Sequence, residues 1–447
     1  MMRQRVAMMG FLLIALVMFG LPARPAAAFG QPQDQSKQPY TIPEYNAFQA
    51  ARAETNPQAR LKLLDDFVAK FPNSSLMQYV YQLYYSTYSD LKNYPKTIEY
   101  VDKLLALGDK IDAGTRLAAI QVRVQVFPLA FNAKAPDAND QLGKQRDAAL
   151  LGLQLLKAFA KPANSTMTDA QFADQKKPGY AFFLSSAGFA QYQLKDYPGA
   201  ITSFKELLTI TPNDAVASYR LGLCYLEMKP PQSLDGFWQL ARAINLKIPD
   251  DAKIKDYLRR QILAYEQPGC DSLADAQMNE LLQLAAGATD RPATYTIPSS
   301  ADLDKVRQSS NILTVLADLK GGGDKAKITW LAICGAEFPE VVGKVIEVKP
   351  GTDFVELMLY TGATPEEIQA ATTSNLDVKV VAQPEASRLQ KDDGVRFSGT
   401  LSSYDPDPAF MLHWDKAKVN PEDIPAEKTP GKHAPHKVPP KPGKQGS

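Results

Sequence analysis

Histidine is nearly missing from this chain of 447 residues: only His413, His433 and His436 occur. H-E-x-x-H, G-x-x-x-x-G-K-[ST] and G-x-S-x-G are all absent, and with them the local signatures of zinc hydrolysis, phosphate cradling and a nucleophile elbow. His433 and His436 stand at metal-compatible spacing, but their Pro- and Lys-rich surroundings give them no rigid frame. Acidic pairs such as Asp65-Asp66 and Glu366-Glu367 read as solvated helix surface. Cysteine is as sparse, with three residues and no C-x-x-C, so a disulfide framework is excluded. Cys224 lies within an apolar helical stretch and reads as a core residue. Cys270 and Cys334 fit either one disulfide or two buried thiols, and both readings stay open. An excess of charge is lacking too: Lys+Arg of 50 against Asp+Glu of 49 leaves +1, which points away from a nucleic-acid partner. These absences lead to the expectation of a non-enzymatic chain with no cofactor and no metal.

What is present begins with a leader. Arg3 and Arg5 precede the apolar run Val6–Leu21, Pro22 breaks it, and Ala26-Ala27-Ala28 supplies small residues for cleavage. Residues 1–28 therefore read as a secretory signal peptide, with retention as an anchor the alternative. No cysteine follows the run as an acylated lipoprotein would require, and no later segment reaches membrane-spanning length. The expected location is periplasmic or secreted.

Beyond a linker at 29–42, helical periodicity runs from 43 to 290. Ala187-Gly188-Phe189-Ala190-Gln191-Tyr192 returns in kind as Leu221-Gly222-Leu223-Cys224-Tyr225-Leu226, a separation of 222 − 188 = 34. Leu184, Ala187, Gly188 and Gln191 share one helical face, Lys195-Asp196-Tyr197-Pro198 turns the chain, and Ala200, Phe204 and Leu207 mark a second helix ended by Pro212. The small residues Gly188 and Ala200 predict the helix crossing, where larger side chains would separate the axes. A divergent unit places Tyr81, Tyr84, Tyr85 and Tyr88 on one face before the turn Asn93-Tyr94-Pro95. Helices are also expected within 113–160, separated by a polar loop near Pro136, and near 252–265 and 272–286, capping the stack.

The pattern at 181–246 resembles the tetratricopeptide repeat (TPR) family, more loosely so at 45–108. The pair end Phe71-Pro72-Asn73-Ser74 is similar to repeats of Gram-negative envelope-assembly proteins. The resemblance implies an α-solenoid of helix pairs whose first helices line a groove. Carried onto this chain, that groove is formed by Phe182, Ser185, Phe189, Tyr192, Tyr219, Leu223 and Glu227, with Tyr79, Gln82 and Ser86 upstream. Such a surface suits an extended peptide or a partner helix. It lacks the Lys/Asn set that would clamp a C-terminal carboxylate. The alternative for several of these aromatics is packing between neighbouring repeats.

After a linker at 291–302 the period changes. Ser299 or Ser300 is positioned to cap a helix over Ala301–Leu319, ended by Gly321-Gly322-Gly323. Strands are predicted at Lys327–Cys334, Val341–Lys349, Phe354–Thr361, Leu376–Ala382, Val395–Ser402 and Phe410–Trp414, with a helix at Pro365–Ala371 between the third and fourth. Element order makes residues 303–424 similar to a small OB-fold-type barrel, with an open sandwich as the rival. Gly343 and Gly399 are candidates for bends that let a sheet close. Trp330, Phe397, Tyr404, Trp414, Arg388 and Arg396 form either a glycan-type face or, for the aromatics, the filling of the barrel. Residues 425–447, rich in Pro, Lys and Gly, read as a solvated tail.

The fold class expected is thus an N-terminal α-solenoid of TPR-like pairs followed by a small OB-like barrel or sandwich. The function expected is an exported protein–protein interaction scaffold of the cell envelope. The alternative is a cell-wall glycan binder acting through the β-domain.

Overall fold

A computed structural model describes residues 39–426. The leader read at 1–28 and the tail beyond Ala426 lie outside the described residues. The described chain divides into two compact units: residues up to Ile254 with Ala285–Arg291, and Lys255–Leu284 with Pro292 onward.

The first unit is built from α1 (Ile42–Ala53), α2 (Pro57–Lys70), α3 (Met77–Asp90), α4 (Tyr94–Leu105), α5 (Ala113–Ala130), α6 (Ala138–Ala158), α7 (Asp169–Gln193), α8 (Tyr197–Ile210), α9 (Ala215–Glu227) and α10 (Ser233–Asn245). Polar caps start most of them. Thr41 and Thr168 form capping boxes with Glu44 and Gln171. Asn56, Asn93, Asp112, Asp196 and Asp214 each accept from amides of the first turn. These caps satisfy amides that a helix start leaves unbonded. Each helix packs on the next along the chain, and α7 also touches α9, so first helices of neighbouring pairs lie side by side.

The turns inside the third–fourth and seventh–eighth helix pairs have one geometry. Lys92 and Lys195 adopt positive φ, 55° and 62°. The amide of Asn93 donates to the Tyr88 carbonyl at 2.8 Å, and that of Asp196 to Gln191 at 2.9 Å. This is the six-to-one bond of a Schellman end. The divergent tyrosine-rich pair therefore closes by the same device as the clearest repeat. The helix crossing expected at Gly188 is present: a Cβ there would meet the Phe204 ring at 2.8 Å. In the following pair Gly222 faces Gly236 so closely that a Cβ would lie 3.0 Å from the Gly236 carbonyl. Phe183, Leu184, Ala187, Ala200, Phe204, Leu207 and Leu221 form one buried cluster across these pairs.

Two departures from expectation occur here. α7 starts at Asp169, well before Ala181, because Thr168 caps it and Pro178 is carried inside the helix. Lys176 on this added stretch donates to the Leu156 and Phe159 carbonyls, satisfying the end of α6. The helices expected near 252–265 and 272–286 are present, with Lys255–Leu284 in the second unit. Within the first unit the returning segment lies on α10: Trp238 Nε1 and Arg242 Nη1 donate to the Ala288 carbonyl at 3.3 and 2.6 Å, and Gln239 Nε2 to Thr289 at 2.8 Å.

The second unit comprises α11 (Asp251–Glu266, mainly), α12 (Leu273–Ala285), α13 (Ser300–Ser309), α14 (Ile312–Gly321), α15 (Gly323–Ile333), β1 (Glu337–Pro350), β2 (Phe354–Tyr360), α16 (Pro365–Ala370), β3 (Leu376–Val381), β4 (Gly394–Asp405) and β5 (Met411–Val419). The strands close into a barrel in the order β1-β2-β3-β5-β4. All neighbours are antiparallel except β3 and β5. This is a five-stranded, OB-like barrel rather than an open sandwich. Val345, Leu357, Leu376, Val378, Val395, Phe397, Leu401 and Trp414 alternate into its interior. The β4–β5 register shifts between Ser398 and Thr400, at Gly399, as expected. The shift in β1 falls between Val345 and Glu347 instead of at Gly343.

Two sequence expectations are corrected. Lys327–Cys334 is not a strand but the end of α15, where Ala326, Thr329 and Ile333 are buried at helical spacing. The helix expected over Ala301–Leu319 is two, since Asn311 caps a new start at Ile312 while Ser299 caps the first. The helix at Pro365 falls between β2 and β3 once the false first strand is removed. Cys270 and Cys334 form a disulfide across a sequence separation of 64, joining the α11–α12 connection to the end of α15. Cys224 is a buried free thiol.

Candidate functional site

The face expected to bind is best defined where α7 lies against α9. Phe189, on α7, is half-buried. The Arg220 guanidinium of α9 stands over its ring at 5.1 Å from the centroid. A planar cation on an aromatic face keeps its N–H edge available for a further partner. Arg220 is 6% exposed, and its Nη2 is buried with no hydrogen-bond partner. Burial pulls its pKa down to about 10, and the charge of Asp214 acts in the opposite direction. Asp214 is already engaged as the cap of α9, its Oδ1 accepting from Val216 and Ala217 at 2.9 Å. Tyr192 and Tyr219 lie within electrostatic reach of the same guanidinium.

Phe182, one helical turn pair up α7 from Phe189, is half-buried and packs edge-on against Phe183 at 5.2 Å. Ser185 lies between them, also half-buried. Tyr192 packs at 6.1 Å against Tyr197 of the turn. Tyr219 and Glu227 are half-buried, whereas Leu223 is buried among core residues. On α3, Tyr79 is 42% exposed, 6.1 Å from the Phe48 ring. Gln82 and Ser86 are half-buried, and the Ser86 hydroxyl donates back to the Leu83 carbonyl. The structure thus sets Arg220, which the sequence pattern did not single out, over the Phe189 ring, with Tyr192 and Tyr219 within electrostatic reach. Its signal was there: Arg220 is the sole basic residue in α9, whose thirteen residues are otherwise apolar or small apart from Tyr and Glu227.

The tyrosine run of the upstream pair is structural. Tyr84 and Tyr100 stack at 4.0 Å and Tyr88 joins them at 5.4 Å from Tyr100. The Tyr84 hydroxyl donates to Asp65 Oδ1 at 2.6 Å, and burial raises its pKa.

In the barrel, two of the four aromatics fill the interior, and half-buried Trp330 of α15 and Tyr404 of β4 pack together outside it. Phe397 and Trp414 are buried and meet edge-on at 5.4 Å. Trp330 packs against Tyr404 at 4.9 Å. Arg396 is held by Asp423 at 2.8 Å and Glu422 at 3.1 Å. His413 on β5 bridges two carboxylates, Nδ1 to Asp377 at 2.8 Å and Nε2 to Asp405 at 2.9 Å. Burial opposes its protonation, but the bonds to Asp405 and Asp377 outweigh it, and its pKa is raised. Elsewhere in this unit Glu266 is fully buried, its Oε1 accepting from Gln277 at 2.8 Å and its Oε2 unpartnered. Burial lifts its pKa to about 7, against the lowering effect of Gln277. Among the described residues no group of three or more His, Cys, Asp or Glu side chains is arranged to hold a metal ion, and no helix is long and apolar enough to cross a membrane.

No protein-family model matches this chain, and no curated protein matches it. A solved structure, the C-terminal part of a TPR repeat-containing protein from Cytophaga hutchinsonii, is similar over 54% of this chain and 93% of its own length, with 17% identity and a TM-score of 0.25.

Proposed function

We propose that this chain is an exported, non-enzymatic scaffold of the cell envelope, and that its helical unit captures a protein partner as an extended peptide or a docked helix. One observation carries this reading: neighbouring first helices α7 and α9 carry half-buried Phe182, Phe189, Tyr192 and Tyr219, and over the Phe189 ring lies the Arg220 guanidinium, whose Nη2 has no hydrogen-bond partner. Aromatics that are neither sealed in a core nor fully solvated are the side chains that anchor interfaces. The leader pattern of residues 1–28 supports export. The barrel offers less for recognition, since Phe397 and Trp414 are interior and Arg396 is engaged by two carboxylates.

The test is photo-crosslinking in the native envelope. A photoreactive residue placed at Tyr219 is expected to yield a discrete protein adduct, while one at exposed Lys205 on α8 yields none. Replacing Phe189 and Tyr192 together with alanine should abolish the Tyr219 adduct with the helical unit still folded. Equal adducts from both positions would defeat the reading.

A further inference from the structure

Among the described residues three arginines are buried in the helical unit, and only one of them lacks a protein acceptor. Arg123 donates to Asp102 at 2.7 Å and to Gln145 at 3.1 Å. Arg242 donates to the Ala288 and Pro212 carbonyls at 2.6 and 2.7 Å. Arg220 makes no such bond. A buried cation without a counter-charge or acceptor is unfavourable unless something completes it. Phe189 covers one face of the guanidinium, so an acceptor has to meet it in its plane, where the buried Nη2 is left without a hydrogen bond. The in-plane N–H edge matches a carboxylate, which accepts two parallel N–H···O bonds. Asp214, the carboxylate whose field reaches Arg220, is committed to capping α9.

Resting on the reading that this face docks a peptide, we propose that Arg220, backed by Phe189, anchors a side-chain carboxylate of the bound segment, so that the helical unit selects an acidic peptide. Charge complementarity sets the occupant. The chain's own C-terminal stretch does not suit it, because residues 428–447 carry five lysines and no Asp or Glu. A ligand's backbone carbonyl could accept from the guanidinium, as the Ala288 and Pro212 carbonyls do for Arg242, but only a carboxylate would also supply the counter-charge.

The experiment selects a library of random short peptides against the full chain and then measures the enriched peptides by titration. The expected result is enrichment of Asp or Glu at one position. Changing that residue to Asn or Gln should weaken binding to the natural chain by about tenfold, and should change nothing on Arg220→Gln. Arg220→Lys keeps the charge without the fork and should recover only part of the loss. Arg220→Gln should unfold no earlier than the natural chain, which separates lost recognition from lost structure. Several results would overturn the proposal. Peptides that need Phe189 and Tyr192 yet show no acidic position, or bind Arg220→Gln unchanged, leave docking intact and remove the carboxylate. Affinity lost on amidating the peptide C-terminus, and not on Asp→Asn, assigns a terminal carboxylate instead. Peptides indifferent to the Phe189→Ala, Tyr192→Ala variant, or a library without binders, remove the docking face and the anchor with it. Tighter binding of a single-stranded oligonucleotide than of any peptide also overturns it.

Discussion

In the β unit, charged groups that leave water are mostly answered from within the unit. Arg396 meets Asp423 and Glu422, His413 is bridged by Asp377 and Asp405, and buried Lys344 donates to the Gln369 carbonyl at 2.8 Å with Asp392 at 3.2 Å. A disulfide and a closed barrel complete that self-sufficiency. In the helical unit Arg123 and Arg242 are answered in the same way, but Arg220 is not. A unit that completes its own polar network has no chemical reason to recruit a partner at those groups. One that leaves a buried cation open has a reason, and a place. Glu266 is the β unit's exception, a buried carboxylate with one unpartnered oxygen.

The comparison can be broken at several points. The largest effect is expected from the disulfide. Removing it by Cys270→Ser with Cys334→Ser frees a loop set by the separation of 64 residues, and should destabilise the β unit by about 4 kcal/mol. Denaturant unfolding followed by separate probes in each unit would show the helical transition unmoved. A shift of both transitions would mean that the two units do not unfold as separate bodies.

Glu266 comes next. Its folded pKa, raised to about 7 from 4.5, means the folded state holds a proton that the unfolded chain has released between those values. Stability is therefore fullest below 4.5, falls as pH rises toward 7, and stays low above it. Glu266→Gln should remove this dependence and stabilise the β unit above pH 7 by up to about 3 kcal/mol. A flat pH profile in the natural chain would place the carboxylate in water.

A paired substitution compares the arginines directly. Arg123→Met leaves buried Gln145 without its donor and should destabilise by about 2 kcal/mol. Arg220→Met strands no acceptor and should be neutral or stabilising by about 1 kcal/mol. Equal losses would show that Arg220 is as structural as Arg123.

The smallest effect is expected at His413, which is partly exposed and therefore screened. Because its folded pKa is raised above 6.5, its contribution is full below 6.5 and lost as pH rises through the folded value. His413→Gln should flatten that part of the profile in the β unit alone, and an unchanged profile would remove the role of Asp377 and Asp405.

Much of this architecture was legible in the sequence because it rests on local chemistry. Lys195-Asp196-Tyr197-Pro198 specifies a turn and Gly188 a close crossing, and the structure has both, with Asp196 capping the helix that follows the turn. Ser299 was readable as a cap for the same reason. The errors arose where tertiary packing overrode local preference. Ile328, Thr329 and Trp330 favour a strand one by one, yet they lie in α15, where Thr329 donates to Asp318 of α14 at 2.9 Å. The polar stretch before Ala181 hid the first turns of α7, which carry Pro178 within them, and Lys176 reveals its purpose only beside α6. Of the candidate face, Phe189, Tyr192 and Tyr219 could be placed from the repeat register. Arg220 could not, since what distinguishes it is the absence of an acceptor, and sequence does not record who fails to meet whom.

The central claim is that Arg220 is held for a carboxylate from outside the chain. The most direct test is the thermal midpoint of the helical unit with an Asp-bearing peptide selected on the full chain, against its Asn counterpart. A ligand that binds only the folded state raises the midpoint by mass action. The Asp peptide should raise it for the natural chain and not for Arg220→Gln, with the Asn peptide weak on both. The same rise with Arg220→Gln, or with Asn in place of Asp, would contradict the account.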